Sequence, residues 1–265
     1  MTTKILRLSQ ITNGGEGSGE HEGHDFRGNQ YSSSLSSQTK AAMWSNAGAK
    51  SHSKSTEEKI TSTKDYSKKF NKSPELYGHT DEEIGYCNYG FMSVNNYLRG
   101  EDDSNTPKTE KLNKEHIDKI TNFIDDAIDS SPSISDGVEL WRGVDIDVGI
   151  KLGQCDVGDV IEDKAFMSTS INPMIASRFS YGYKDGKDVK ATIVRIVSDG
   201  KIKGIMTKTP EKEVILSRGM KLEIIAKETT AGRVDFVGKP EKYQVMRPSD
   251  MTKVKMTVIT VRPVS

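Results

Sequence analysis

The sequence predicts an α/β protein of the α+β type, with helices first and strands after. Two amphipathic helical patterns lie between residues 80 and 130, and from Val138 on short apolar runs replace them. Segregated helices and strands are the signature of this class. The order of strands within the sheet is not legible from the chain.

In the first helix Ile84, Cys87, Phe91, Val94 and Leu98 recur at spacings of 3, 4, 3 and 4, which puts them on one face. Thr80 or Asp81 can cap its start and Gly100 ends it. Phe91 is expected in the core. Asn95, one turn later, borders the apolar stripe and needs a partner if buried, either a loop or a ligand. Ile117, Ile120, Ile124, Ala127 and Ile128 mark the second helix, which stops before Ser130-Ser131-Pro132.

The strands follow in order. Val138-Glu139-Leu140-Trp141-Arg142-Gly143-Val144 is a short apolar strand interrupted by an arginine. A buried arginine costs several kcal/mol unless it is paired. Arg142 is therefore equally a structural ion-pair partner or a fork for a phosphate or carboxylate. After a polar turn, Phe166-Met167-Ser168-Thr169-Ser170 puts Phe166, Ser168 and Ser170 on one strand face. Asn172-Pro173 opens a helix whose face holds Ile175 and Phe179. A Gly-bearing loop at 181–188 leads to a strand at 191–197, and Asp199-Gly200 turns the chain into a strand at 201–205. Residues 206–210 form a loop that delivers the chain to Pro210-Glu211-Lys212-Glu213-Val214-Ile215-Leu216. Strand geometry would point Glu211 and Glu213 into one space; two solvated residues at a strand end are the plain alternative. Gly219 breaks the sheet, 220–227 continue it, 228–250 read as a long loop, and 253–261 close it with a half-buried strand.

The front of the chain has a different character. Residues 1–55 are sparse in apolar residues and contain Gly14-Gly15-Glu16-Gly17-Ser18-Gly19, the chemistry of a flexible tail or linker, with a short helix near 40–44. Order should begin near Ser55-Thr56-Glu57-Glu58, where a cap precedes acidic first-turn residues.

Only 34% of the 265 residues are apolar and 29% are charged, so part of the chain lies outside a core. No run of about 18 apolar residues offers a membrane span, and the first ten residues lack the apolar stretch of a secretory signal. Two cysteines, Cys87 and Cys155, fit a reducing compartment. No Cys/His cluster has metal-ligand spacing, and His21 and His24 read as a loose surface pair. A net charge of zero argues against nucleic acid as a partner. The charge is uneven, with four Lys/Arg against eleven Asp/Glu in 101–140 and fourteen against seven in 201–265. Two mutually attracting faces explain this by default; a basic side that draws in an anionic ligand is the functional alternative.

An Arg strand, a Phe-x-Ser-Thr-Ser strand and a Glu-x-Glu strand, in that order, resemble the R-S-E class of mono-ADP-ribosyltransferases. The likeness extends to the enzymatic components of actin-modifying binary toxins and to tailed-phage protein ADP-ribosyltransferases. Trp141-Arg142-Gly143 matches the first motif, Phe166-Met167-Ser168-Thr169-Ser170 the second, and Glu211-Lys212-Glu213 with its trailing strand and Gly219 the third. The helix Tyr86…Phe91…Asn95…Leu98-Arg99-Gly100 is similar to the toxin helix that lines the NAD pocket, with Phe91 where a tyrosine is common. The resemblance covers 55–265. The Gly-rich segment with His24 and Arg27-Gly28-Asn29-Gln30-Tyr31 resembles tailed-phage head-associated proteins, which implies association with a phage head.

The resemblance implies the ADP-ribosyltransferase fold, with N-terminal helices followed by two short angled sheets around an NAD cleft. It implies NAD as substrate, no metal, and a target protein bearing an acceptor arginine in a host or target-cell cytoplasm. Arg142, Gly143, Phe179, Asn95, Tyr86 and Phe91 would bind NAD, and Thr169 and Ser170 would complete strand and pocket. Glu213 would stabilise the positive charge that grows as the nicotinamide–ribose bond breaks, Ser168 would hold Glu213, and Glu211 would meet the acceptor. An NAD glycohydrolase using the same pocket, and a virion-associated binding protein, stand as alternatives.

Overall fold

A computed structural model of the chain describes residues 5–7, 56–57, 60, 70, 72–78, 84–102, 106, 108, 111–180, 183–185, 188–234 and 252–264. The Gly-rich segment and the short helix expected at 40–44 lie outside the described residues, as do the caps Thr80 and Asp81 and residues 235–250 of the expected long loop.

The expected class is observed. Helices α1 (Pro74–Tyr77), α2 (Phe91–Arg99) and α3 (Lys114–Asp129) precede most of the strands, which are β1 (Ile5–Arg7), β2 (Glu139–Gly143), β3 (Val160–Asp163), β4 (Met167–Ser170), β5 (Tyr183–Asp185), β6 (Asp188–Val197), β7 (Gly204–Met206), β8 (Glu213–Leu216), β9 (Met220–Val234) and β10 (Thr252–Pro263). Two further helices, α4 (Ile146–Gly153) and α5 (Pro173–Arg178), lie between strands. Among the described residues the strands run β1-β3-β9-β10-β6-β2-β4-β8-β7 in one hydrogen-bonded path, with β5 on β6. The two sheets expected are two halves of this path. They meet at β2–β4 through a single register pair, Trp141 with Ser170, while β4 and β8 pair fully from Met167–Leu216 to Ser170–Glu213.

The β4-β8-β7 half packs on both of its faces. Phe166, Ile205 and Ile215 face Leu76, Tyr86, Val94 and the apolar stripe of α3, Ile117, Ile120, Ile124 and Ile128. Met167, Val214 and Leu216 alternate with them and face the second cluster, with Leu140, Leu152, Ile196 and Ile259. The period of two in β4 and β8 thus gives one face to the helices and the other to the main core. The acidic α3 is drawn to the basic second half through Asp125 and Arg218, 2.9 Å apart, in keeping with attracting faces.

Several elements differ from expectation. The first helix starts at Phe91, not near Ile84. Tyr86–Gly90 is a wide turn in which Asn88 and Tyr89 leave helical geometry, Tyr89 with φ 71. Helical periodicity therefore misplaces Phe91, which is 44% exposed rather than in the core. The C-terminal end is as expected, with Gly100 at φ 72. Residues 144–165 are not a mere polar turn but hold α4 and β3; Asp145 caps α4 by accepting from the Val148 N–H. β9 runs on to Val234, through the start of the expected loop, because it pairs with β10 along its length. Ile5–Arg7, inside the expected tail, pairs in parallel with β3, and Leu6 packs on the core. Ile60 is fully buried.

Candidate active site

Glu213 is the first residue of β8 and sits across from Ser170. The register puts Phe166, Ser168 and Ser170 on one face with Glu213 and Ile215. Phe166 and Ile215 on this face bury themselves against the helices, and the polar end of the face is left at the junction of the two halves. Thr207 Oγ1 donates to Glu213 Oε2 at 3.1 Å and Cys87 Sγ donates to the same oxygen at 3.5 Å. The Ser168 hydroxyl hydrogen-bonds this carboxylate as well. Burial raises the Glu213 carboxyl above the usual range; the Ser168, Thr207 and Cys87 donors oppose the rise and the charge of Glu211 adds to it. Burial, and after it the Glu213 charge, pushes the Cys87 thiol well up. Cys87 therefore stays protonated and can donate.

Behind Ser168 stands a second row. Tyr86 Oη lies 3.5 Å from Ser168 Oγ, and Asn95 Nδ2 donates to Tyr86 Oη at 3.1 Å. The partner that Asn95 needs is thus a side chain of the protein. Tyr86 is fully buried and meets the Phe166 ring edge-on at 5.9 Å. Burial and the Glu213 charge raise its phenol, so Tyr86 is a neutral hydroxyl that supports Ser168. Tyr86 thus stands behind Ser168, in contact with Asn95 and Phe166. Phe91 and Phe179 (49% exposed) are open to solvent.

Arg142, on β2, donates from Nη1 to the Ser168 carbonyl at 3.3 Å. Its Nη2 lies 3.9 Å from Asp163 Oδ2. Asp163, at the end of β3, has no exposed surface and is held much more closely by Arg99. Arg99 Nε donates to Oδ1 at 3.0 Å and Nη2 to Oδ2 at 2.9 Å. Burial lowers Arg99, but the Asp163 hydrogen bond and charge outweigh this and leave it raised. Burial lowers Arg142; Asp163 opposes this and Arg99 adds to it. Both remain cations, because arginine is always charged in proteins. Asp163 thus serves two guanidiniums, with Glu101 acting on Arg99 and Asp145 on Arg142 from farther away. Arg142 Nε is buried with no hydrogen-bond partner among the described residues. An anion beside Arg142 would complete the cluster, and the diphosphate of NAD has that chemistry. Arg142 thus faces the carboxylate of Asp163, as the ion-pair reading expects.

Other expected site residues have framework contacts. Thr169 Oγ1 donates to the Val214 carbonyl at 2.7 Å and Ser170 Oγ to the Glu211 carbonyl at 2.6 Å, so these hydroxyls tie β4 to the Glu-x-Glu segment. A Cβ on Gly143 would sit 2.2 Å from the Ala176 carbonyl oxygen and 2.5 Å from the Phe179 carbonyl carbon. Gly143 lets α5 pass over β2 and set Phe179 at its end. Gly143→Ala must push backbone from backbone and is expected to cost about 1–3 kcal/mol, measured as a lower denaturant midpoint with unchanged slope.

Glu211 does not share a strand with Glu213. It lies in the turn before β8, and Lys212 between them has φ 50. Alternation therefore does not align the pair, yet the charge of Glu211 reaches both Glu213 and Cys87. Arg99, Asp163 and Cys87 are members of the site that sequence reasoning missed, whereas Thr207 lies in the loop it set before the two glutamates. Arg99 had a signal, one helical turn after Asn95 and next to the glycine cap. Asp163 had none, because its strand went unseen.

Comparison with known proteins identifies the family. The ADP-ribosyltransferase exoenzyme family model matches residues 63–261. No curated protein matches the chain. Among solved structures, Vis toxin, an ADP-ribosyltransferase from Vibrio splendidus, is 20% identical, with 83% of this chain and 87% of that one covered and a TM-score of 0.50. BECa, the ADP-ribosylating toxin of a C. perfringens binary enterotoxin, solved with NADH, is 18% identical over 81% of this chain and 48% of its own, with a TM-score of 0.49. At such identity the likeness to Vis is one of fold. The family match and the order of the three motifs give one answer: the chain belongs to the ADP-ribosyltransferase exoenzyme family, whose members take NAD as substrate.

Proposed function

We propose that this protein transfers ADP-ribose from NAD to arginine side chains of a target protein. The observation that carries this reading is the pair of carboxylates. Glu213 is held by three donors, and Glu211 acts on it from the preceding turn, beside the loop 207–210.

In the proposed mechanism Arg142 takes the diphosphate through its free donor, with Arg99 and Asp163 setting its position. Glu213, ionised, accepts from the ribose 2′-hydroxyl. The bond from ribose C1′ to the nicotinamide nitrogen breaks and both electrons leave with nicotinamide, which needs no proton. Positive charge spreads over C1′ and the ring oxygen, and Glu213 is the fixed negative charge that stabilises it. Ser168 positions Glu213. A guanidinium is a poor nucleophile until it gives up a proton; Glu211 orients it and takes that proton as the new C1′–N bond forms.

The division of roles has a direct test. Glu211→Gln is expected to lower labelling of protein acceptors from NAD by a factor on the order of 10² while nicotinamide release continues. Loss of both activities together would remove the acceptor role from Glu211. The further reading, a phage or bacterial effector acting in a target-cell cytoplasm, draws support from the Gly-rich N-terminal segment. No helix among the described residues is long and apolar enough to cross a membrane.

A further inference from the structure

We propose that the hydroxyl of Tyr77 is the clamp that holds the loop 207–210 for the acceptor, and so sets how ADP-ribose divides between a guanidinium and water. This rests on the reading of Glu211 as the acceptor-side carboxylate.

Tyr77 ends α1 and its backbone is fixed from two sides. Leu76 beside it is buried in the helical cluster. Gly85 brings the wide turn directly onto α1, since a Cβ there would lie 2.5 Å from the Leu76 carbonyl carbon and from the Tyr77 nitrogen. Asn88 Nδ2 donates to the Tyr77 carbonyl at 3.4 Å. From this anchored position the phenol reaches across 131 residues of sequence, where Tyr77 Oη accepts from the Lys208 N–H at 2.8 Å. The same hydroxyl bonds the Thr207 side chain, and burial pushes its pKa up to about 12, so it stays neutral and can both accept and donate.

At its far end the Ser170 hydroxyl on β4 holds the Glu211 carbonyl at 2.6 Å; the other ties of the loop are local or weak. Thr207 Oγ1 meets Thr209 Oγ1 at 2.9 Å, the Lys212 N–H donates to the Thr209 carbonyl at 3.1 Å, and the Thr207 N–H to the Glu213 carbonyl at 2.9 Å. These shape the turn without fixing it to the helices. Lys212 Nζ reaches Glu57 Oε2 at 3.1 Å, but the lysine side chain is 41% exposed, and such surface pairs contribute little. Among the described residues, the Tyr77–Lys208 bond therefore ties the start of the loop to the helical half, while Ser170 on β4 holds its Glu211 end. With the loop fixed, the approaching guanidinium meets Glu211 in one geometry; with it loose, water reaches C1′ unopposed.

Tyr77→Phe removes the hydroxyl and keeps the ring, so the fold should survive. The test follows labelled NAD with agmatine, a small guanidinium acceptor, and reads agmatine labelling and nicotinamide release together. The variant is expected to release nicotinamide without acceptor within about twofold of wild type, to need about fivefold more agmatine for half-maximal labelling, and to exchange the Lys208 amide hydrogen faster. An unchanged ratio of transfer to hydrolysis, or a parallel fall in both, would overturn the clamp. If wild type releases nicotinamide and never labels agmatine, the arginine reading fails instead. The partition role of Tyr77 then falls with it, and Lys208 amide exchange decides only whether Tyr77 holds the loop.

Discussion

Glu213→Gln is expected to abolish NAD turnover, with a loss on the order of 10²–10³ or more, and yet to fold at least as stably as wild type at neutral pH. The loss follows from placement. Glu213 is the carboxylate on which Ser168, Thr207 and Cys87 converge, and an amide brings no negative charge to the ribose. The stability follows from linkage. Burial raises the folded-state pKa of Glu213 above its unfolded value, so folding favours the protonated form. The contribution of Glu213 to stability is complete below its unfolded pKa, roughly 4.3, and is lost as pH rises through the folded pKa. At neutral pH the charge is a net cost that glutamine lacks. Thermal melts should show Glu213→Gln at or above wild type at neutral pH, with the advantage shrinking as pH falls. The same shift moves the acid limb of the activity profile above the pH at which an ordinary glutamate titrates. A variant that melts well below wild type at neutral pH would mean that the three donors outweigh burial.

Asp163→Asn is expected to produce the largest loss of stability, about 3–5 kcal/mol. Asp163 is fully buried and accepts from Arg99 at 3.0 and 2.9 Å and from the Ala165 N–H at 3.0 Å, with Arg142 at 3.9 Å. The amide keeps the shape but turns one acceptor into a donor facing a guanidinium, and two part-buried cations lose the carboxylate they share. Denaturant unfolding would measure the loss. Replacing Arg99 with Met in the same variant removes one of the stranded cations and should recover part of it, because residues in one network are not additive. A single variant within about 0.5 kcal/mol of wild type would contradict the account of the cluster. NAD should bind the variant more weakly, since Arg142 loses its positioning partner.

What the sequence discloses depends on how local each signal is. The Arg142, Ser168 and Glu213 motifs are legible because each sits in a short strand bounded by turn residues, and β2, β4 and β8 are indeed neighbours. The α3 stripe is legible because a 16-residue helix repeats its apolar face several times. The first helix is misread at its front because Tyr86–Gly90 keeps a helical spacing of apolar residues while Asn88 and Tyr89 leave helical geometry. Periodicity cannot see a wide turn. The partner of Arg142 is invisible for a different reason: Asp163 reaches it only through the pairing of β3 with β9, a long-range contact. The pair Glu211–Glu213 is found by a strand argument that the structure does not support, since Lys212 has a positive φ.

The central claim, an arginine acceptor, is tested most directly with labelled NAD and agmatine, following nicotinamide and agmatine together for wild type, Glu213→Gln and Glu211→Gln. The account predicts labelled agmatine with wild type alone, and nicotinamide release surviving in Glu211→Gln but not in Glu213→Gln. Nicotinamide released by wild type with agmatine left unlabelled would contradict it and make water the acceptor.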